Sequence, residues 1–104
     1  MFEKDLSLSL LYDLYAPLLS DKKKEAFEAY FLSDLSLSEI SEETGTSRQA
    51  VRDLINRTKA ELLGYEEKIG LMKKRNEILL WCDVLETASE KEIAPIAKKL
   101  REII

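Results

Sequence analysis

Apolar residues along this chain recur at three- and four-residue spacing, the period of helices buried on one face. Between residues 5 and 16, Leu6, Leu10 and Leu14 fall at i, i+4 and i+8, with Leu11, Tyr15 and Leu18 beside them. The alternation SLSLL is a weaker strand signal, and the longer helical pattern outweighs it. Pro17 then ends or bends the helix, because its ring clashes with the preceding turn and it supplies no amide donor. Ser20 is placed to cap a second helix, DKKKEAFEAYFL, whose Ala26, Phe27, Tyr30 and Phe31 share a face. From Ser36 to Glu39 the sequence SLSE has the form of a capping box, opening a short helix that runs only to about Thr44, before Gly45. Ser47 is the next candidate N-cap. From Arg48 onward Val51, Leu54, Ile55, Leu62, Tyr65, Ile69 and Met72 sustain the period, which predicts one long helix, or two with a break near Gly64. A second capping box, Ser89 with Glu92, precedes a last helix with Pro95 in its first turns and Ile93, Ile96, Ala97, Leu100 and Ile103 on its apolar side.

The window 37–56 carries the most specific arrangement. Two helices crossing at about 90 to 120° need a small residue where their backbones approach and a turn residue that tolerates positive φ. Ser41 and Gly45 answer those needs, while Leu37, Ile40, Val51 and Leu54 supply the apolar lock. This is the layout of a helix-turn-helix. Its second helix then exposes Arg48, Gln49, Arg52 and Asn56 near its start, the side-chain types that pair with guanine or adenine or grip phosphate in a major groove. With Ser47 and Arg57 they form the expected DNA-binding set. The bland alternative is a helical hairpin with a solvated face, on which Asp53 pairs with Arg57 at i, i+4.

Composition narrows the function. The 104 residues carry a formal charge of −4, so a polyanion site has to be local. One is present: between Ser47 and Ala60, Arg48, Arg52, Arg57 and Lys59 face only Asp53. The sequence has no histidine, which removes the commonest metal ligand and general base. Its three glycines are too dispersed for a phosphate-cradling loop. Cys82, the one cysteine, has no partner for a disulfide or a metal pair and suits a reducing compartment. The expectation is a non-enzymatic protein with no cofactor and no metal. The longest uncharged runs, Leu6 to Tyr12 and Leu14 to Ser20, are far short of the roughly 20 residues of a membrane span. MFEKD is also unlike a signal peptide, so the cytoplasm is expected and no membrane contact.

The stretch LSLSEISEETGTSRQAVRDLINRTKAELLGYEEK resembles the helix-turn-helix of region 4 of bacterial sigma factors. Through YDLYAPLLSDKKKEAFEAYFL, SRQAV and NRT, nearly the whole chain resembles the YlxM-like family of small bacterial proteins, encoded beside the signal recognition particle protein gene. That resemblance implies an all-helical fold, a DNA-binding module and a regulatory role in the signal recognition particle pathway. In sigma region 4 the matching positions contact promoter DNA, which carries that role to Arg48, Gln49 and Arg52. The sequence departs from the sigma pattern at Ala50, where a long polar residue is common, and it lacks the other sigma regions.

Beyond the motif, Leu62, Tyr65, Ile69, Met72, Asn76 and Leu79 step as an a/d ladder with Asn76 at an a position, where a buried asparagine fixes register in coiled-coil pairs. They form the expected dimer interface, although packing within one chain competes with it. The whole reads as a single all-α domain, 1–104: a sigma region 4-like helix-turn-helix head at about 37–56, then a long helix and a short C-terminal helix over about 57–104. The expected partners are double-stranded DNA, a second copy of the chain and possible signal recognition particle components. The alternative function is an adaptor of that pathway that binds protein or RNA without specific DNA binding.

Overall fold

The computed structural model describes residues 6–103 and is all-helical among them. Its helices are α1 (Leu6–Tyr15), α2 (Asp21–Phe27), α3 (Leu37–Thr44), α4 (Arg48–Ile69), α5 (Leu71–Glu86) and α6 (Glu90–Ile103). The expected start of the first helix at Asp5 lies outside the described residues. At Pro17, α1 tightens into a 3₁₀ turn, Ala16–Leu18. Ser20 then caps α2, its hydroxyl oxygen accepting from the Lys23 amide at 3.3 Å. Residues Glu28–Leu32 continue α2 as a π turn, an element the apolar spacing does not reveal.

Two compact units make up the chain, dividing between Lys68 and Ile69. In the first, Phe27 has no exposed surface and its ring stacks between Tyr12 and Phe31, with both centroids 4.4 Å away. Around this stack Leu8, Leu11, Tyr15, Leu19, Ile40, Val51, Ile55 and Leu62 are buried. The face α1 buries is therefore Leu8, Leu11, Tyr12 and Tyr15, while Leu10 and Leu14 of the expected stripe are half-buried and Leu18 is exposed. The rotation follows the aromatic rings: seating Tyr12 on Phe27 turns the leucine row to the core's margin.

The second unit is the hairpin of α5 and α6, joined by Thr87–Ser89 and packed on each other. At its turn the box is one-sided: Glu92 Oε1 accepts from the Ser89 amide at 3.4 Å and from its hydroxyl at 2.9 Å, while the Glu92 amide bonds the Ser89 carbonyl and not its hydroxyl. Pro95 sits in the second turn of α6, where its missing donor removes one helical bond. Ile96 is buried, whereas Ile93 stays half in solvent.

The break in the long helical run is at Gly70, not near Gly64. Gly70 adopts φ 72°, the left-handed conformation that ends a helix, while Gly64 is carried inside α4. The ladder from Leu62 to Leu79 is thus not one continuous stripe, since a left-handed residue resets the helical phase between Ile69 and Met72.

Candidate nucleic-acid interface

The interface is built on the turn between α3 and α4. Ser36 and Glu39 make a reciprocal capping box: the Ser36 hydroxyl oxygen accepts from the Glu39 amide, and Glu39 Oε1 accepts from the Ser36 amide, each at 3.0 Å. Those bonds hold the Glu39 carboxyl below its usual range. The helix closes at Gly45, φ 71°, whose amide bonds the Ser41 carbonyl at 2.9 Å. Ser41, the small residue at the helix crossing, donates its hydroxyl to the Thr46 carbonyl and so ties α3 to the turn. Ser47 then caps α4, accepting from the Ala50 amide at 3.0 Å.

Once started, α4 buries one face through Val51, Ile55, Thr58 and Leu62. Thr58 is wholly buried and satisfies its hydroxyl on the Leu54 carbonyl at 2.8 Å. Each helical residue turns by about 100°, so Arg52 and Arg57 stand about 140° apart on the opposite side, with Gln49, Asp53 and Asn56 in the arc between them. All five are exposed. Arg48 lies next to Arg52 on the same flank and makes a long contact with the Ser38 hydroxyl, 3.5 Å.

The expected DNA-binding residues thus form a solvent face with a cationic flank on each side. The Asp53–Arg57 ion pair of the bland reading does not form; Gln49 Nε2 donates to Asp53 Oδ1 instead, at 2.9 Å. Among the described residues, neither Arg52 nor Arg57 has an ion-pair partner. Lys59 belongs elsewhere: it is half-buried with its ammonium 5.6 Å from the centre of the Phe31 ring, and burial lowers its pKa. By helical angle it lies about 20° from both Arg48 and Arg52, about three and two turns further along α4, so its packing and not its place on the wheel removes it from their set.

Arg57 opens onto a cavity of about 600 Å³ between α2, α3 and α4, floored by Ala26, Ala29, Ile40, Ala50, Val51 and Leu54 and edged by Lys22, Lys23, Glu25 and Glu43. Lys23 is committed to Glu61 Oε2 at 2.6 Å, and that bond together with the Tyr65 hydroxyl holds the Glu61 carboxyl below its usual range. Lys22 is exposed and lines the same cavity as Arg57. Sequence spacing could not unite them, because they are 35 residues apart on different helices.

The expected dimer residues separate. Leu62 has no exposed surface and is part of the head's core, so it is not available to a second chain. Tyr65 bonds Glu61 Oε1 at 2.7 Å and packs 5.9 Å from Tyr15. Ile69 is exposed at the end of α4, while Met72, Asn76 and Leu79 lie on α5. Asn76 is exposed and accepts from Arg75.

Comparison with known proteins gives this fold its family. Residues 2–102 match the family described as "Putative helix-turn-helix protein, YlxM / p13 like". A UPF0122 protein of Thermoanaerobacter sp. strain X514 is 44% identical over 103 residues, covering 95% of this chain and 88% of the relative. One of Symbiobacterium thermophilum is 38% identical over 92 residues, 88% and 86% of the two chains. Another, of Halalkalibacterium halodurans, is 48% identical over 82 residues, 76% and 75% of the two. The chain belongs to this helix-turn-helix family.

Proposed function

From that membership as premise, we propose that the chain is a regulator that binds double-stranded DNA by seating the first turns of α4 in a major groove. The observation that carries the reading is the face of α4 opposite Val51, Ile55 and Thr58: Gln49, Asn56 and the Asp53 that Gln49 bonds at its centre, Arg48 and Arg52 on one flank, Arg57 on the other. A groove about 12 Å wide has base edges on its floor and a phosphate row on either wall, which suits amide side chains between two cationic flanks. Ser47, whose hydroxyl oxygen is used by the cap, keeps a hydroxyl proton for a phosphate. Lys22, which lines the same cavity as Arg57, extends the second flank. The reading includes no catalytic step and no cofactor, and it places the protein's work in the cytoplasm. Among the described residues no helix is long and apolar enough to cross a membrane. Action as a homodimer belongs to the same proposal, since one recognition helix spans few base pairs and helix-turn-helix proteins read paired half-sites.

The test is binding to duplexes selected from a random library, followed by fluorescence anisotropy at several salt concentrations. Arg48→Ala or Arg52→Ala should each cost about 1 to 3 kcal/mol on the selected site and relax discrimination there. Arg57→Ala and Lys22→Ala should instead weaken all duplexes alike, each lowering the salt slope by about one. A double variant, Arg48→Ala with Arg52→Ala, that binds every duplex like the unaltered protein rejects the interface. A second reading, an adaptor of the signal recognition particle pathway that binds RNA or protein, has the net charge of −4 in its favour for a protein partner, since RNA is as much a polyanion as DNA. Sequencing the nucleic acid cross-linked to the protein in cells separates the two: a shared DNA motif favours the regulator, and signal recognition particle RNA the adaptor.

A further inference from the structure

One helix of the α5–α6 hairpin, α5, is charged the wrong way round for its dipole, whereas α6 has acids in its first turn and Arg101 in its last. In α5 the cations Lys73, Lys74 and Arg75 lie at the N-terminal end and the acids Asp83 and Glu86 at the C-terminal end, each against the helix dipole. The charged side chains of its neighbour repeat the same division. A short connection makes α6 antiparallel to α5. Glu90 and Glu92 therefore begin α6 at the hairpin's acidic end, and Lys98, Lys99 and Arg101 close it at the basic end. Apart from Glu77, Lys91 between Glu90 and Glu92, and the Lys99–Glu102 contact at 4.0 Å, the hairpin has one basic end and one acidic end.

Its apolar surface is also uncovered. The segment Ile78 to Leu85 has a single charge, Asp83, and is apolar all round the helix, a pattern that belongs in a core. Yet α5 contains no buried residue. Leu79 is 45% exposed and Leu80 64%. A unit of under about 40 residues without disulfide or metal usually needs association to hold its structure.

We propose that the hairpin pairs with the hairpin of a second copy of this chain, α5 against α5 in antiparallel sense, with the two-fold axis beside Leu79. Met72, Arg75, Leu79, Asp83 and Glu86 then share one stripe at spacings of three and four residues. Centring that stripe on Leu79 sets Arg75 of one copy against Asp83 of the other, twice. Basic end meets acidic end, both dipole mismatches are relieved, and the two Leu79 side chains cover one another. This self-complementarity makes a second copy the fitting occupant, because an isologous contact needs each patch to match itself turned by a half rotation. The pairing is independent of what the head binds.

Sedimentation equilibrium on the full chain tests it. The unaltered protein should be a dimer, and Leu79→Lys, which brings two ammonium groups together at the axis, should be a monomer at the same concentrations with unchanged far-ultraviolet circular dichroism. Because Leu79 is half in solvent, its replacement leaves the monomer's core intact. Arg75→Glu alone and Asp83→Lys alone should each raise the dimer dissociation constant about three- to tenfold, and the two together in one chain should restore it. A monomer at every concentration overturns the proposal. So do single variants that pair as tightly as the unaltered protein, which is the outcome for a parallel pair, where residue 75 faces residue 75 and a change of sign leaves like charges opposed.

Discussion

Tyr12 is a buried phenol whose acidity is set by what lies on it. Its ring is stacked on Phe27 with planes 10° apart, and burial, followed by its hydrogen bond with Glu28 and the charges of Glu28 and Asp13, pushes its pKa up to about 12 from an ordinary value of 10.0. The folded state therefore holds this proton more tightly than the unfolded chain does. That preference contributes stability in full below about pH 10 and is lost as pH rises through about 12. Tyr12→Phe keeps the stack and removes the ionisation. It should cost about 1 kcal/mol near neutrality through the lost Glu28 bond, while the fall in stability above pH 10 becomes shallower. Some slope persists, because Glu61 also raises the pKa of Tyr65. Urea titrations at pH 7, 9, 10 and 11 measure both effects, and an unchanged alkaline slope in Tyr12→Phe would assign it to other tyrosines.

At the scale of elements, the turn between α3 and α4 decides where the recognition face points. Gly45 has nothing within 4 Å of the place where a Cβ would sit, so a side chain there meets no clash and its cost is purely conformational. The left-handed region costs an ordinary residue about 1 to 2 kcal/mol and a β-branched one more. Gly45→Val should lower stability by at least about 2 kcal/mol and weaken DNA binding through the helix angle, whereas Gly45→Asn should lose less than half of that. Chemical denaturation and anisotropy on the same samples check the pair. This turn was legible in the sequence because its signals are local: a capping box before it, a glycine within it, a serine cap after it. Gly70 offered one equally local signal, a glycine after Lys68 and Ile69. It was overridden because the three-and-four spacing of the apolar residues happens to continue across it. The Lys23–Glu61 bond and the cavity that Lys22 and Arg57 both line were illegible for a different reason, since residues 38 and 35 positions apart come to one place only once α2 has docked on α4.

For the molecule as a whole, an acidic chain must bind a polyanion through a local basic face, and one such face gives limited affinity. Pairing through the hairpin changes this without adding a contact to the DNA. Once one head is bound, the other meets its half-site at an effective concentration set by the linkage between them, which raises affinity by about 10² or more where the geometry permits. Two duplexes isolate that gain, one carrying a single selected site and one carrying two sites a helical turn apart. The unaltered protein should prefer the second by about a hundredfold. Leu79→Lys should bind the single site as before, because Leu79 lies outside the head, and should lose the preference for the paired site. Equal weakening on both duplexes would mean that the hairpin supports the head's fold. A preference that survives in a monomeric Leu79→Lys protein would mean that pairing occurs on the DNA through another surface.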